Sequence, residues 1–200
     1  MSKELELARE LVKQLEEAER ANRVQLSELD PGDVFKIGEN DFIVLEHHYD
    51  TTTVISKGFM AENVVFDKDT RDYNKSNLKK VIEKGIQSVI EFEVGVENLV
   101  EYDNSLLSVD NQKEFEPCRA KVMPPNFDLV RRFNNLIVNK DLDDWWWTCT
   151  PWSTADRGLK YSMSVVSPSG SIGNYDCSSG GGVRPVCILK SNIFVSKGDK

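Results

Sequence analysis

Residues 30–59 read DPGDVFKIGENDFIVLEHHYDTTTVISKGF, and they hold the change of period that decides the fold. Asp30-Pro31-Gly32-Asp33 is a turn signal, because proline presets one backbone angle and glycine permits the left-handed region. Beyond it the period is read as two, in the strand-like runs VFKIG, DFIVLEHH and TTTVISKGF, rich in Val, Ile, Phe and Thr. A period of two is the repeat of a strand with one buried face. Gly38-Glu39-Asn40 and Tyr49-Asp50 leave turn-length gaps between the runs, which predicts an antiparallel meander.

Ahead of the turn the pattern is helical. Residues 3–25, KELELARELVKQLEEAERANRVQ, are rich in strong helix formers with no Gly or Pro, so one continuous helix is expected. Ala8, Leu11, Leu15 and Ala18 recur at 3-4-3 spacing and Asn22 continues the series, an a/d stripe of under three heptads. Such a helix either docks on its own domain or joins a homo-oligomer as a short coiled coil. Two heptads of small a/d residues are weak alone, so an oligomer would need help from the globular part. The expected division is a helical segment at 1–29, a domain at 30–195 and a tail at 196–200.

After the meander, Leu78, Val81, Ile82, Ile86, Val89 and Ile90 predict a helix over 74–92, interrupted only by Gly85. Strands are expected at 106–109 and 119–123. Pro124-Pro125-Asn126 then sets up a helix over 127–138, with Asn126 as its N-cap. The remainder predicts a strand at 161–166, a turn at 167–170, a glycine loop at 178–182 and a final strand at 183–189. Short antiparallel strands with a few helices make an α+β class.

Composition removes several function classes. A chain of 200 residues at 40 % apolar content fills one substantial core. A formal net charge of −8 argues against direct binding to nucleic-acid phosphates. There is no apolar run of the roughly 18 residues that a membrane span needs. The start, Met-Ser-Lys-Glu-Leu-Glu, lacks the apolar centre of a signal peptide, so the expected location is the cytoplasm or a virion. Cys118, Cys149, Cys177 and Cys187 show no C-x-x-C spacing and there are only two histidines, which argues against zinc. In a reducing compartment the four cysteines stay thiols; outside the cell, pairing in the C-terminal region is open.

No catalytic constellation stands out. A nucleophile elbow, a Walker loop and a dinucleotide fingerprint are absent, and Gly180-Gly181-Gly182 precedes a strand rather than a helix. His47 and His48 are neighbours in a strand, so they face opposite ways, one inward and one solvated, and cannot jointly grip a metal. Asp141, Asp143 and Asp144 could bind calcium, but a solvated acidic turn is the commoner state of such a run. Neither enzymatic activity, a metal nor another cofactor is expected.

The stretch DDWWWTCTPW, residues 143–152, holds all four tryptophans. In an extended segment Trp145 and Trp147 share one face and Trp146 takes the other. Trp147 is expected in the core, with Arg184 nearby, hydrogen-bonded or stacked on an aromatic ring. Trp146 and Trp152 are the candidates for exposure.

Two C-terminal pieces, Trp147-Thr148-Cys149-Thr150-Pro151 and Gly182-Val183-Arg184-Pro185-Val186, resemble a pattern of an uncharacterised domain family of bacteria and their phages. That family reads W-L-R-[ST]-P, then an alternating strand and glycine turn, then G-V-R-P-A. Its opening, G-D … G … W-x-V-L, is similar to Gly32-Asp33, Gly38 and Phe42-Ile43-Val44-Leu45, and its S-x-L-R to Ser76-Asn77-Leu78-Lys79. The resemblance covers about residues 31–190. It implies a C-type-lectin-like fold in which the tryptophan segment and the closing G-V-R strand pack together. Cys149 departs from the usual Arg, Phe42 from Trp and Val186 from Ala, and the sugar-and-calcium signatures of animal C-type lectins do not occur. On this reading Trp147, Pro151, Gly182, Arg184 and Pro185 hold the scaffold.

A scaffold of this kind carries recognition loops. The loops at 152–161 and 174–182 are rich in Ser, Gly, Tyr and Asp, the mixture that adaptable binding loops use. The candidate binding residues are Trp146, Trp152, Asp156, Arg157, Tyr161, Asn174, Tyr175 and Asp176. The expected function is recognition of a glycan or a protein, in a phage or prophage setting. The alternative is an intracellular phage inhibitor that binds a host defence complex through an acidic surface.

Overall fold

Gly32 takes φ +95°, and Asp33 N–H donates to Asp30 O at 2.9 Å, so the turn at 30–33 stands where the period changes. The computed structural model describes residues 3–21 and 23–198. Before the turn lie α1 (Lys3–Ala21) and β1 (Arg23–Gln25). The helix therefore stops short of residue 25, because Arg23, Val24 and Gln25 pair with a strand from the far end of the chain. Residues 5–14 of α1 are exposed along their whole length. Of the a/d stripe, Asn22 and the side chains of Leu15 and Ala18 lie outside the described residues.

The meander forms as read: β2 (Val34–Ile37), β3 (Asn40–His47) and β4 (Thr51–Ser56), each antiparallel to the next. Next come β5 (Ala61–Val65), α2 (Asn77–Val81), a π-helical turn (Ile82–Ile86) and α3 (Gln87–Val94). Ser76 caps α2 by accepting from Lys79 N–H at 3.1 Å. Together these segments make one long helix with a widened middle turn. Then follow β6 (Leu99–Val100), β7 (Tyr102–Asn104), β8 (Cys118–Ala120), β9 (Val122–Met123), α4 (Phe127–Arg132) and α5 (Asn134–Ile137). Asn126 is the N-cap of α4, accepting from Leu129 N–H at 2.8 Å.

Residues 106–109 form no strand. Ser108 turns the chain instead, its hydroxyl accepting from Gln112 N–H at 2.9 Å. The last stretch holds β10 (Trp146–Pro151), β11 (Ser162–Val166), β12 (Ile172–Asp176), β13 (Gly180–Val183), β14 (Val186–Lys190) and β15 (Phe194–Lys197). The glycine run is thus strand rather than loop. The expected strand at 183–189 is broken at Arg184-Pro185, and pairing continues past 195 through Lys197.

The large sheet runs β1-β15-β2-β3-β4-β14, with β6 and β9 sharing the outer edge of β14. The small sheet runs β12-β11-β10-β13-β5, and only its β10–β13 pairing is parallel. A separate ribbon pairs β7 with β8. The chain passes between the two sheets at Arg184-Pro185, where β13 hands over to β14. The architecture is α+β, mostly antiparallel, with few helices and an N-terminal one. No helix among the described residues is long and apolar enough to cross a membrane.

Neighbouring residues on each strand enter different cores. Phe42, Val44, Val54, Trp147, Val165 and Cys187 join one cluster with Leu78, Ile82, Ile86 and Ile90 of the long helix. Ile43, Leu45, Ile55, Trp146, Val166 and Val186 join the other, with Val130 of α4 and Ile137 of α5. Both sheets are covered on both faces over much of their length, so alternation there separates two cores rather than core from water.

Candidate functional site

All six residues of β10 are buried. Trp147 sits in the cluster under the long helix, and its indole N–H donates to Val64 O at 2.7 Å. Its ring packs edge-on to Phe66, with centroids 5.7 Å apart. Space for it comes from Gly181, where a Cβ would stand 2.9 Å from the indole nitrogen. Gly180 and Gly182 do the same on the other face for Asn63 and for the ring of Phe59. Three glycines in a strand cost backbone entropy. Here they let large side chains lie directly on the chain.

Trp146 is not a surface residue: it is 1 % exposed. The face opposite Trp147 is closed by α4 and α5, and Arg184 stacks on the Trp146 ring with its guanidinium carbon 4.9 Å from the centroid. Arg184 donates through Nε to Ser56 O at 2.9 Å and through Nη1 to Ile137 O at 2.6 Å. Burial lowers its pKa to about 10. Among the described residues no carboxylate pairs with it, so carbonyl oxygens and a π face are what receive its charge. Trp146, Trp147 and Arg184 together join the two sheets.

The surface aromatics lie elsewhere. Trp145 is half-buried at the entry to β10, and its ring lies across Gly173, where a Cβ would be 2.9 Å from ring carbon Cζ3. Tyr175 is half-buried beside it, with ring centroids 5.8 Å apart, and meets Trp147 edge-on at 6.2 Å. Partial burial and then the nearby Asp144 carboxylate push the Tyr175 phenol up. Asn174 and Asp176 are exposed on the same strand, β12, which ends the small sheet. Asp176 accepts from the Ser178 hydroxyl at 2.7 Å and from Ser178 N–H at 2.9 Å, which lowers its pKa. Trp145 was missed in the sequence, although its position two residues before Trp147 placed both on one face.

The loop at 152–161 is anchored rather than loose. Half-buried Trp152 donates its N–H to Ser162 O at 2.9 Å, and Tyr161 O accepts from Cys177 N–H at 2.7 Å. Since Ser162 pairs with Asp176, these bonds gather Trp152, Tyr161 and Asp176 at one corner of the small sheet. Arg157 reaches Asp110, whose carboxylate also accepts from Ser153 Oγ at 2.6 Å. The Ser108 hydroxyl, then that of Ser153, and Arg157 hold the Asp110 pKa down to about 2. Arg71, itself buried, donates to Ser153 O at 2.6 Å and to Glu114 at 2.6 Å. These partners lie too far along the chain for local pattern to reveal them. Asp156 is exposed on this loop.

The remaining polar candidates do not converge. Asp141, Asp143 and Asp144 are exposed. His47 and His48 are both exposed too, so neither turns inward; His47 bonds Thr52 Oγ1 at 2.9 Å and Leu29 O at 2.6 Å. No three His, Cys, Asp or Glu side chains among the described residues group as a metal would require. The site is therefore a shallow aromatic platform, Trp145 and Tyr175, with Asp144 beside it at an open sheet edge; Asn174 and Asp176, on either side of Tyr175, point to the opposite face of β12. It can stack a flat ligand face and accept hydrogen bonds around it. No protein-family model, curated protein or solved structure matches the chain.

Proposed function

We propose that this chain is a non-enzymatic recognition module on a C-type-lectin-like scaffold, phage- or prophage-encoded, which binds a glycan or a protein through the small sheet. The observation that carries the reading is Trp145 lying across Gly173 beside Tyr175, half-exposed at the end of a rigid strand. An aromatic face held on rigid backbone costs little ordering entropy on binding. The neighbouring Asp144 supplies acceptors for hydroxyl or amide donors. The scaffold reading is supported by the way Trp146 and Trp147 pack against Arg184 and Gly181, the union of tryptophan segment and G-V-R strand that the family resemblance implies.

The test is a glycan array run beside a protein-binding screen, with wild type, Trp145→Ala and Tyr175→Ala. Binding that falls about 10-fold or more in both variants, with melting little changed in Trp145→Ala, is the expected result. A ligand bound equally well by both variants would place the working surface elsewhere. A second reading, an intracellular inhibitor of a host defence complex, is favoured by the net charge of −8. That mode predicts affinity that drops steeply with added salt, whereas stacking on Trp145 is nearly salt-independent.

A further inference from the structure

Two apolar surfaces of this chain have no cover among the described residues. The first is on α1, where Leu5, Leu7, Leu11 and Val12 are exposed, Leu7 at 73 %. Advancing 100° per residue, these positions with Ala8 occupy an arc of roughly 160°. That is wider than the a/d seam of a two-stranded coil, and it suits a helix laid onto a globular surface.

The second surface is the outer side of the long helix. Its inner positions Leu78, Ile82, Ile86 and Ile90 are buried, while Val89 and Phe92 face out, Phe92 at 86 % exposure, and exposed Val96 follows in the turn after Gly95. One turn before Val89, a Cβ at Gly85 would meet only open space. Beside this face lies a groove of about 920 Å³, lined among others by Arg23, Lys36, Glu93, Val94 and Phe194.

We propose that α1 of one copy lies along this groove and the outer face of the long helix of a second copy, giving a two-fold dimer with exchanged arms. Because Arg23 lines the groove, each arm starts at its own groove's rim, and the exchange covers both apolar surfaces of both copies. The exposure of residues 5–14 shows that α1 does not occupy its own groove. Charge favours the occupant modestly: α1 has six glutamates against four Lys and Arg, and the groove presents Arg23 beside Glu93, Lys36 being already paired with Asp41 at 3.1 Å. The same acidic balance disfavours an anionic membrane surface. The globular groove also supplies the help that a short helical stripe needs in order to associate.

Light scattering of the full chain at micromolar concentration tests this. Wild type is expected at twice the single-chain mass, and Leu11→Glu and Phe92→Glu each at the single-chain mass. Both side chains are exposed on the single chain, so each variant should still fold and melt cooperatively, with a lower midpoint where the dimer is lost. Mixing Leu11→Cys copies with Phe92→Cys copies and adding a bifunctional thiol reagent should link unlike chains; the native cysteines are buried and do not compete. A single-chain wild type overturns the proposal. So does a dimer that survives Phe92→Glu, which would mean that α1 pairs with α1. A link formed within one chain of the Leu11→Cys/Phe92→Cys double variant overturns it as well.

Discussion

The guanidinium of Arg184 lies over the ring of Trp146, carbon to centroid 4.9 Å, with both residues out of contact with water. The pair makes Trp146 a joint between sheets rather than a ligand anchor. Trp146→Ala is expected to lower stability by roughly 3–5 kcal/mol through the cavity it leaves. Arg184→Met, which keeps the stem but strands the carbonyls of Ser56 and Ile137, should cost about 2–5 kcal/mol. Chemical denaturation measures both. A loss under about 1 kcal/mol for either variant would contradict the joint.

The Asp110 staple gives an acid-sensitive loop. Its carboxyl titrates at about 2 in the fold, below the roughly 3.9 of an unfolded chain. A depressed acid stabilises the folded form above its unfolded value and loses that contribution as pH falls toward its folded value. The contacts to Ser108, Ser153 and Arg157 should therefore persist at about pH 4 and release on the way to about pH 2. NMR titration of the Asp110 side chain and the Ser153 amide follows this. An Asp110 midpoint near 4 would show that the staple does not form.

Gly182→Ala should destabilise by roughly 1–3 kcal/mol, because the new methyl group lands on the Phe59 ring. The clash lies 2.4 Å from ring carbon Cε1, and the strand conformation itself is ordinary. If the ring is the cause, Phe59→Ala in the same chain recovers part of the loss. A double variant with strictly additive costs would mean that the glycine serves another purpose.

Much of this was legible and some was not, for definable reasons. Period two and the turn at 30–33 disclosed the meander, and Leu78, Ile82, Ile86 and Ile90 disclosed the long helix. The π-helical turn at Ile82–Ile86 left no pattern, since the apolar spacing through it stays helical. Trp146 was misread because alternation separates two faces without saying that one is wet; here α4 and α5 cover the second. The glycine run read as loop because the large groups that fill its Cβ space, Asn63, Phe59 and Trp147, come from other strands or loops. Leu106 to Val109 had strand composition, but the Ser108 hydroxyl captured the backbone first. Within the candidate site, Tyr175 was found by composition, while Asn174 and Asp176, chosen for the same reason, fall on the other face of β12. Arg157 proved to be tied to Asp110 across 47 positions, a pairing that only the fold brings about.

All four cysteines are buried and unpaired. Burial pushes every thiol up, Cys149 and Cys187 furthest, so the reactive thiolate is scarce at neutral pH. A colorimetric thiol reagent should find almost none in the native protein and four after denaturation. Rapid modification of the native form would reveal openings of the core that the static packing conceals.

The handover from β13 to β14 ties together the fates of the two sheets. Gly180 to Lys190 is one unbroken length of chain that hydrogen-bonds to β10 and β5 at its start and to β4, β6 and β9 at its end. Neither sheet can come apart without pulling on a central strand of the other. Strain applied at the small sheet is thus shared with the meander, and the two sheets resist as one cooperative body.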